Sequence, residues 1–277
     1  MSQERPSGGW RLLGVAGVVL VFVLPLVFMV SGSLRQPGLA PPRTPELVPD
    51  PLAFSNYDRA FELVGLARST LNSLLVAALA VPLSVLVASW AGFALTRLPP
   101  RAARALIGAS FVALMIPLTA LLVPRFAVFR TLGLTDTYVP LVAPALLATS
   151  PFYVLVFYAA FRRLPPELVD ACRLEGMSPL AIWRRVAMPL VRPVTVAISV
   201  LAFVLTWGNF LDPLIYLYDA DLFTVPLSLR SLATLDRTDY PLLLAGAVVA
   251  TLPVLAAFLL AQRFFLHEHR GPGWLGR

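Results

Sequence analysis

Long apolar stretches alternate with short polar segments along this chain, and the lengths of the apolar stretches set the first expectation. A helix needs about 20 largely apolar residues to cross about 30 Å of hydrocarbon. Six stretches meet that need: Leu12–Val30, Leu71–Thr96, Ala105–Val123, Leu141–Phe161, Val194–Leu211 and Leu242–Ala261. None contains an Asp, Glu, Lys, Arg or His. The pattern predicts an all-α integral membrane protein with six transmembrane helices. The first stretch lacks an Ala-x-Ala cleavage pattern and exceeds the usual signal-peptide core, so it is expected to remain as a signal anchor. Pro25, Pro82, Pro117, Pro144 and Pro253 fall inside the stretches and predict kinks.

Between the fourth and fifth stretches lies a polar segment, residues 162–192. Pro165-Pro166 can open a helix there, because proline suits the first turn. Glu167 and Asp170 follow near its positive N-terminal end, where an acid gains roughly 0.3–1 kcal/mol. Leu168, Ala171, Cys172 and Glu175 share one face. Gly176 is the natural stop, since glycine takes the left-handed conformation without a Cβ clash. Ser178-Pro179 then restarts a second helix as cap and first residue. Ile182, Trp183 and Val186 give it an apolar stripe, and Met188-Pro189 is expected to end it. Two short helices hinged at glycine, set between membrane-length runs, read as a docking element for a soluble partner. The plainer alternative is a pair of interfacial helices with no partner.

Composition sharpens this picture. The chain is 58% hydrophobic and 13% charged, where soluble domains carry about a quarter charged residues; mean hydropathy is +0.79. The net charge of +7 is read by location, as topology rather than nucleic-acid affinity. Arginines concentrate on the flanks that include both termini and residues 162–192, which the positive-inside rule assigns to the cytoplasm. Residues 31–69 are then external. Their first part, with Pro37, Pro41, Pro42, Pro45, Pro49 and Pro51, is expected to be extended. A second external loop, residues 212–240, is acidic through Asp212, Asp219, Asp221, Asp236 and Asp239, which suits a soluble partner and solvent equally. The predicted layout is a cytoplasmic N-terminus (1–11), a first transmembrane helix (12–30), an external Pro-rich loop (31–69), a five-helix core (70–262) containing the cytoplasmic segment 162–192, and a cytoplasmic tail (263–277).

The chain has no lysine, so it has no Gly-Lys-Ser/Thr phosphate loop, and any ATP must bind on another chain. The single cysteine, Cys172, excludes an intrachain disulfide and a multi-thiolate metal site. His267 and His269 lie two apart in the tail. No metal site is expected there, and no Ser/His/Asp or Cys/His set can be assembled.

Asp170-Ala171-Cys172, Gly176, Ile182 and Met188-Pro189 resemble the EAA loop of binding-protein-dependent ABC importer permeases, usually Glu-Ala-Ala-x-x-x-Gly followed by Ile-x-x-x-x-x-Pro. Similarity to the maltose-type carbohydrate-uptake branch extends through Asn56-Tyr57, Asn72-Ser73-Leu74, Ala94-Leu95-Thr96-Arg97 and Met115-Ile116-Pro117. It continues with Leu132-Gly133-Leu134-Thr135-Asp136-Thr137, Pro151-Phe152, Trp207-Gly208-Asn209-Phe210 and Gln262-Arg263-Phe264-Phe265. There are departures. Asp170 and Cys172 replace Glu and Ala, Glu175 stands where Asp is common, and Met177 replaces a small residue. Gly208 and Asn209 stand in place of Asn and the acid of Trp-Asn-Asp/Glu-Phe, and the tail after Phe265 lacks the Gly-rich ending.

The resemblance implies a type I ABC importer permease in the cell (plasma) membrane of a prokaryote, with a cytoplasmic helix-Gly-helix coupling loop. It implies a pathway formed with a second permease, usually a different chain. A dimer of ABC ATPases would dock below, and an extracytoplasmic substrate-binding protein would deliver the ligand. Docking to the ATPase would fall to Asp170, Ala171, Cys172, Glu175, Gly176, Ile182 and Pro189. No catalytic residue, metal or cofactor is expected on this chain, ATP being held by the ATPase. The implied ligand is a carbohydrate, a sugar or oligosaccharide. Trp207 and Asn209 are the candidate pathway residues, because an aromatic plus an amide suits a sugar's apolar face and hydroxyls; helix packing at a subunit interface would use the same pair. The alternative class is an ion-coupled carrier. Proton coupling calls for a membrane-embedded carboxylate or histidine, which the six stretches lack, while sodium coupling through backbone carbonyls stays open. A membrane enzyme would need clustered histidines or acids.

Overall fold

The computed structural model describes residues 8–42, 44, 46–146, 150–235 and 238–266. Arg5, Arg43, Pro45, Asp236, Arg237 and the tail from His267 onward, with His269, Arg270 and Arg277, lie outside the described residues. The described residues form helices and connecting turns, with no strand among them. In chain order the helices are α1 (Gly8–Ser33), α2 (Ser55–Val64), α3 (Leu66–Leu95), α4 (Pro100–Met115), α5 (Leu122–Thr131), α6 (Val139–Leu146), α7 (Pro151–Phe161), α8 (Pro166–Leu174), α9 (Pro179–Ile182), α10 (Met188–Leu190), α11 (Arg192–Trp207), α12 (Leu211–Tyr216), α13 (Val225–Leu235) and α14 (Tyr240–Leu266).

Four expected spans are long and apolar enough to cross a membrane: α1, α3, α14, and the run Val139–Phe161 whose described parts are α6 and α7. The third and fifth differ from expectation. Instead of one helix over Ala105–Val123, α4 ends at Met115, Ile116 is extended (φ −77°, ψ 117°), and the chain turns by 87° into Leu118–Thr131. Pro117 has no N–H to continue the ladder and disfavours helical geometry at the residue before it. The expected kink is therefore a break. The fifth span, expected over Val194–Leu211, is α11, which stops at Trp207 where the Gly208 N–H turns back to Val204 O. It meets Pro179–Leu190 at 84°. Among the described residues the helices long and apolar enough to cross a membrane number four, or up to six when each bent pair counts as one.

The chain divides into two compact units. The first comprises Met1–Ala67 and Ser228–Leu252. Here the segment after α1 folds back on the end of that helix through Asn56, whose side-chain amide donates to Ser33 O (2.9 Å) and Arg35 O (2.7 Å). Arg35 in turn pairs with Glu46 at 3.0 Å. Arg59 of α2 pairs at 2.7 Å with Asp239, which is 1% exposed and also accepts the Leu242 N–H at the start of α14.

The second unit comprises Arg68–Leu227 and Pro253–Arg277. Its core joins Phe93 and Leu95 at the end of α3, Phe157 and Phe161 of α7, Ile198 and Ala202 of α11, and Val169, Ile182, Trp183 and Ala187 of the segment between them. α3 and α7 approach so closely that a Cβ on Gly92 would lie 2.8 Å from Tyr158 N and 2.9 Å from Val154 O. Several motif residues act as loop staples in this unit. Asn72 donates to Asp221 O (2.8 Å) and Phe223 O (3.0 Å), and Ser73 Oγ accepts the Val225 N–H at 2.8 Å.

Candidate functional site

The segment between α7 and α11 follows its local chemistry closely. Pro166 occupies the first turn of α8, and Glu167 lies in that turn. At the other end the Gly176 N–H donates to Arg173 O (2.9 Å) and the Met177 N–H to Cys172 O (3.0 Å). Gly176 sits at φ +74°. This is the Schellman arrangement, and Cys172 and Met177 both pack against the core. Ser178 then caps α9 by accepting the Ala181 N–H at 3.2 Å, with Pro179 as first residue. The second helix does not end at Met188-Pro189 as expected. A π-helical turn spans Trp183–Ala187, in which the Met188 N–H reaches back to Trp183 O, and the helix runs on to Leu190. The widened turn takes up the clash that the proline ring would make with the carbonyl four residues back.

One face of this helix pair is anchored and the other is bare. Val169, Ile182, Trp183 and Ala187 are buried, and Trp183 meets Trp90 of α3 edge to face at 5.4 Å. Arg97 caps the Phe93 ring at 4.7 Å. Its pKa is lowered by burial and then by the charge of Arg173, with Asp170 opposing. Asp170, Ala171, Glu175, Gly176 and Pro189 are exposed, Cys172 is half-buried and Ile182 is inside. Asp170 pairs with Arg173 at 3.3 Å, and space around the Gly176 Cα is open. Leu174 is 90% exposed and Leu180 56%. Neither was singled out from the sequence. The signal was there: Leu174 lies on the polar face of α8, away from Val169, where an apolar side chain has no internal partner.

The two pathway candidates lie at the end of α11. Trp207 is buried and stacks on Phe203 at 5.6 Å. Asn209 opens α12 by a reciprocal pair of bonds: its Nδ2 donates to Asp212 Oδ2 (2.9 Å), and its Oδ1 accepts the Asp212 N–H (3.3 Å). The acid that the motif would carry at position 209 stands instead at 212. Asp212 also pairs with Arg125 of α5 at 3.3 Å. Tyr216 of α12 is fully buried, its ring edge-on to Phe129 at 5.5 Å. Burial raises the Tyr216 pKa, with the Arg125 charge opposing, so its hydroxyl stays protonated at neutral pH. Arg125 Nη2 and Tyr216 Oη are both buried with no hydrogen-bond partner among the described residues. An unpaired buried polar atom costs roughly 1–3 kcal/mol. Among the described residues no cluster of His, Cys, Asp and Glu fits a metal ion.

Below Tyr216 the chain is clasped by Asp136, a non-glycine residue at φ +59°. Its carboxylate accepts the N–H groups of Tyr218 (2.9 Å) and Asp219 (3.0 Å), which lowers its pKa.

Residues 63–269 match the family described as binding-protein-dependent transport system inner membrane component. The chain belongs to this family. As a binding-protein-dependent transport component it is a multi-pass membrane permease, and its all-helical architecture agrees. It is 32% identical over 268 residues, 95% of each chain, to the arabinooligosaccharides transport system permease protein AraQ of Halalkalibacterium halodurans. It is 28% identical to the trehalose transport system permease protein SugB of Mycobacterium tuberculosis, over 94% of each chain. Identity is also 28% to the lactose transport system permease protein LacG of Rhizobium radiobacter, over 95% of this chain and 94% of that one. The fold resembles a chain of a bacterial ABC transporter involved in the import of the acidic polysaccharide alginate, with TM-score 0.74 and 19% identity over 96% of this chain and 100% of that chain.

Proposed function

We propose that this permease forms, with a second permease, the translocation pathway of an ATP-driven importer for a carbohydrate. An extracytoplasmic binding protein delivers the ligand, and two ATPase subunits on the cytoplasmic side supply the motion. Both termini of the chain lie in the cytoplasm. The ligand class is supported by near-full-length relatives named for arabinooligosaccharides, trehalose and lactose. ATPase docking is supported by one observation above the rest: a helix–Gly–helix element that is anchored on one side and carries a bare leucine on the other.

The geometry suits mechanical coupling. Asp170, Ala171, Glu175 and Gly176 present the docking surface, with Cys172 at its edge. Ile182 holds the element to the core, and Pro189 sits beyond the π turn that carries the chain toward α11. A push on α8 moves Val169 and Ile182 against Phe93, Phe157 and Ile198, side chains of α3, α7 and α11. Close-packed cores transmit such displacements as rigid-body shifts. ATP stays on the partner, and this chain makes no covalent bond.

The test is purification from native membranes in mild detergent, with the co-purifying proteins identified by mass spectrometry. A nucleotide-binding ATPase and a second permease are expected, and both interaction and uptake should be lost in Gly176→Arg. A chain that purifies alone, or a Gly176→Arg variant with normal uptake, overturns the proposal.

A further inference from the structure

We propose that Arg192 and Arg263, both held on the ring of Phe264, form a binding site for the phosphodiester headgroup of an anionic phospholipid. Arg192 opens α11, and the membrane-length part of α14, Tyr240–Phe264, ends where Arg263 stands. The Arg192 guanidinium lies over the Phe264 ring at 4.8 Å from its centroid, and that of Arg263 at 4.9 Å. This contact brings the ends of two apolar helices to one membrane face, whichever way the chain is oriented. The two cations therefore stand at the edge of the hydrocarbon, at headgroup height. Both residues are exposed, and Arg192 pairs with no acid among the described residues. One turn deeper on the same face of α14 lie Leu259 and Leu260, 59% and 61% exposed. Two like charges on one ring repel, and a phosphate beside them relieves the repulsion while accepting N–H bonds from both. Stacking on the ring already restricts both side chains, which reduces the ordering cost of binding. A soluble acidic partner would match the charge, but the exposed leucines lie at hydrocarbon depth, beyond its reach. A lipid covers both: its headgroup meets the arginines and an acyl chain runs along the leucines.

The test uses the chain together with the subunits that co-purify with it, in mild detergent. Dioleoyl phosphatidylglycerol and, separately, dioleoyl phosphatidylcholine are titrated in, and bound lipid is resolved by native mass spectrometry. The wild type is expected to favour phosphatidylglycerol. Arg192→Gln and Arg263→Gln should each weaken its binding about fivefold, with the two effects multiplying in the double variant. Phosphatidylcholine binding, subunit composition and melting temperature should hold. Arg101→Gln with Arg104→Gln is the control, since it removes two exposed charges from the start of α4 and should leave phosphatidylglycerol binding unchanged. No preference in the wild type, or unchanged phosphatidylglycerol binding in the double variant, overturns the site. An equal fall for phosphatidylcholine overturns it too, as does an equal fall in the control, which would show a diffuse field rather than a site. Loss of a partner subunit from the double variant also overturns it, because the arginines would then belong to a protein interface. None of these outcomes bears on the carbohydrate reading, which the uptake and co-purification experiment tests by itself.

Discussion

Leu174→Ala isolates the docking surface from the fold. Leu174 is 90% exposed in the chain alone, so truncating it removes almost no internal contact, and alanine suits the last turn of α8 at least as well. Such surface changes stay within about 0.5 kcal/mol of stability. Against a docked ATPase the same change removes three buried carbons. At about 0.8 kcal/mol per carbon this is about 2.4 kcal/mol, or roughly a 50-fold weaker complex. The assay is the affinity of the purified ATPase for the permease pair in nanodiscs, beside its melting temperature. Val169→Ala is the opposite control. Val169 is buried in the core, so its truncation should lower the melting temperature and change affinity only as far as α8 loosens. An unchanged affinity for Leu174→Ala would refute the docking surface. A fall of several degrees in melting temperature would refute the claim that Leu174 is internally idle.

Gly176→Asn is expected to fold, because asparagine tolerates φ +74° and the space around the Cα is open. If the ATPase covers this point, the variant will still lose coupled uptake, and normal uptake would show that the partner leaves room for a side chain. Gly92→Ala should cost about 1–3 kcal/mol and lower the melting temperature, since its Cβ would press on the α7 backbone at 2.8–2.9 Å; an unchanged melting temperature contradicts the close approach. The Asp136 pKa is lowered by the N–H groups of Tyr218 and Asp219. Its stabilisation is therefore complete above the ordinary carboxylate pKa and lost as pH falls through the lower folded value. Protection of those two amides from hydrogen exchange, relative to an unstructured amide at the same pH, should fall over that acidic range, and Asp136→Asn should abolish the dependence.

Where structure follows from local backbone chemistry, the sequence was readable. Gly176 as a left-handed stop and Ser178-Pro179 as a restart need only nearby atoms, and both appear as expected. Pro117 and Pro189 were read less well, because a proline's effect depends on what surrounds it. At Pro117 the helix breaks through 87°, whereas at Pro189 a π turn absorbs the ring and the helix continues. An apolar run looks the same through a straight helix and through a right-angle turn. The polar cluster was hidden for another reason. Asn209 was picked out, but its meaning depends on Arg125, far away in sequence and brought near only when α5 packs by α12. Leu174 escaped because leucine is ordinarily assigned to the inside.

The break at Ile116–Pro117 has a consequence for how this protein can exist in a bilayer. From Phe111 to Leu121 every residue is exposed in the single chain. Backbone that leaves the helix frees peptide groups that lipid tails cannot hydrogen-bond, so such irregularity persists at hydrocarbon depth only against other protein or beside water. A lone copy would leave that elbow facing lipid, whereas an assembled pair can seal it or turn it toward an aqueous lumen. The bend thus favours assembly from within the membrane, independently of any attraction between the surfaces of the subunits.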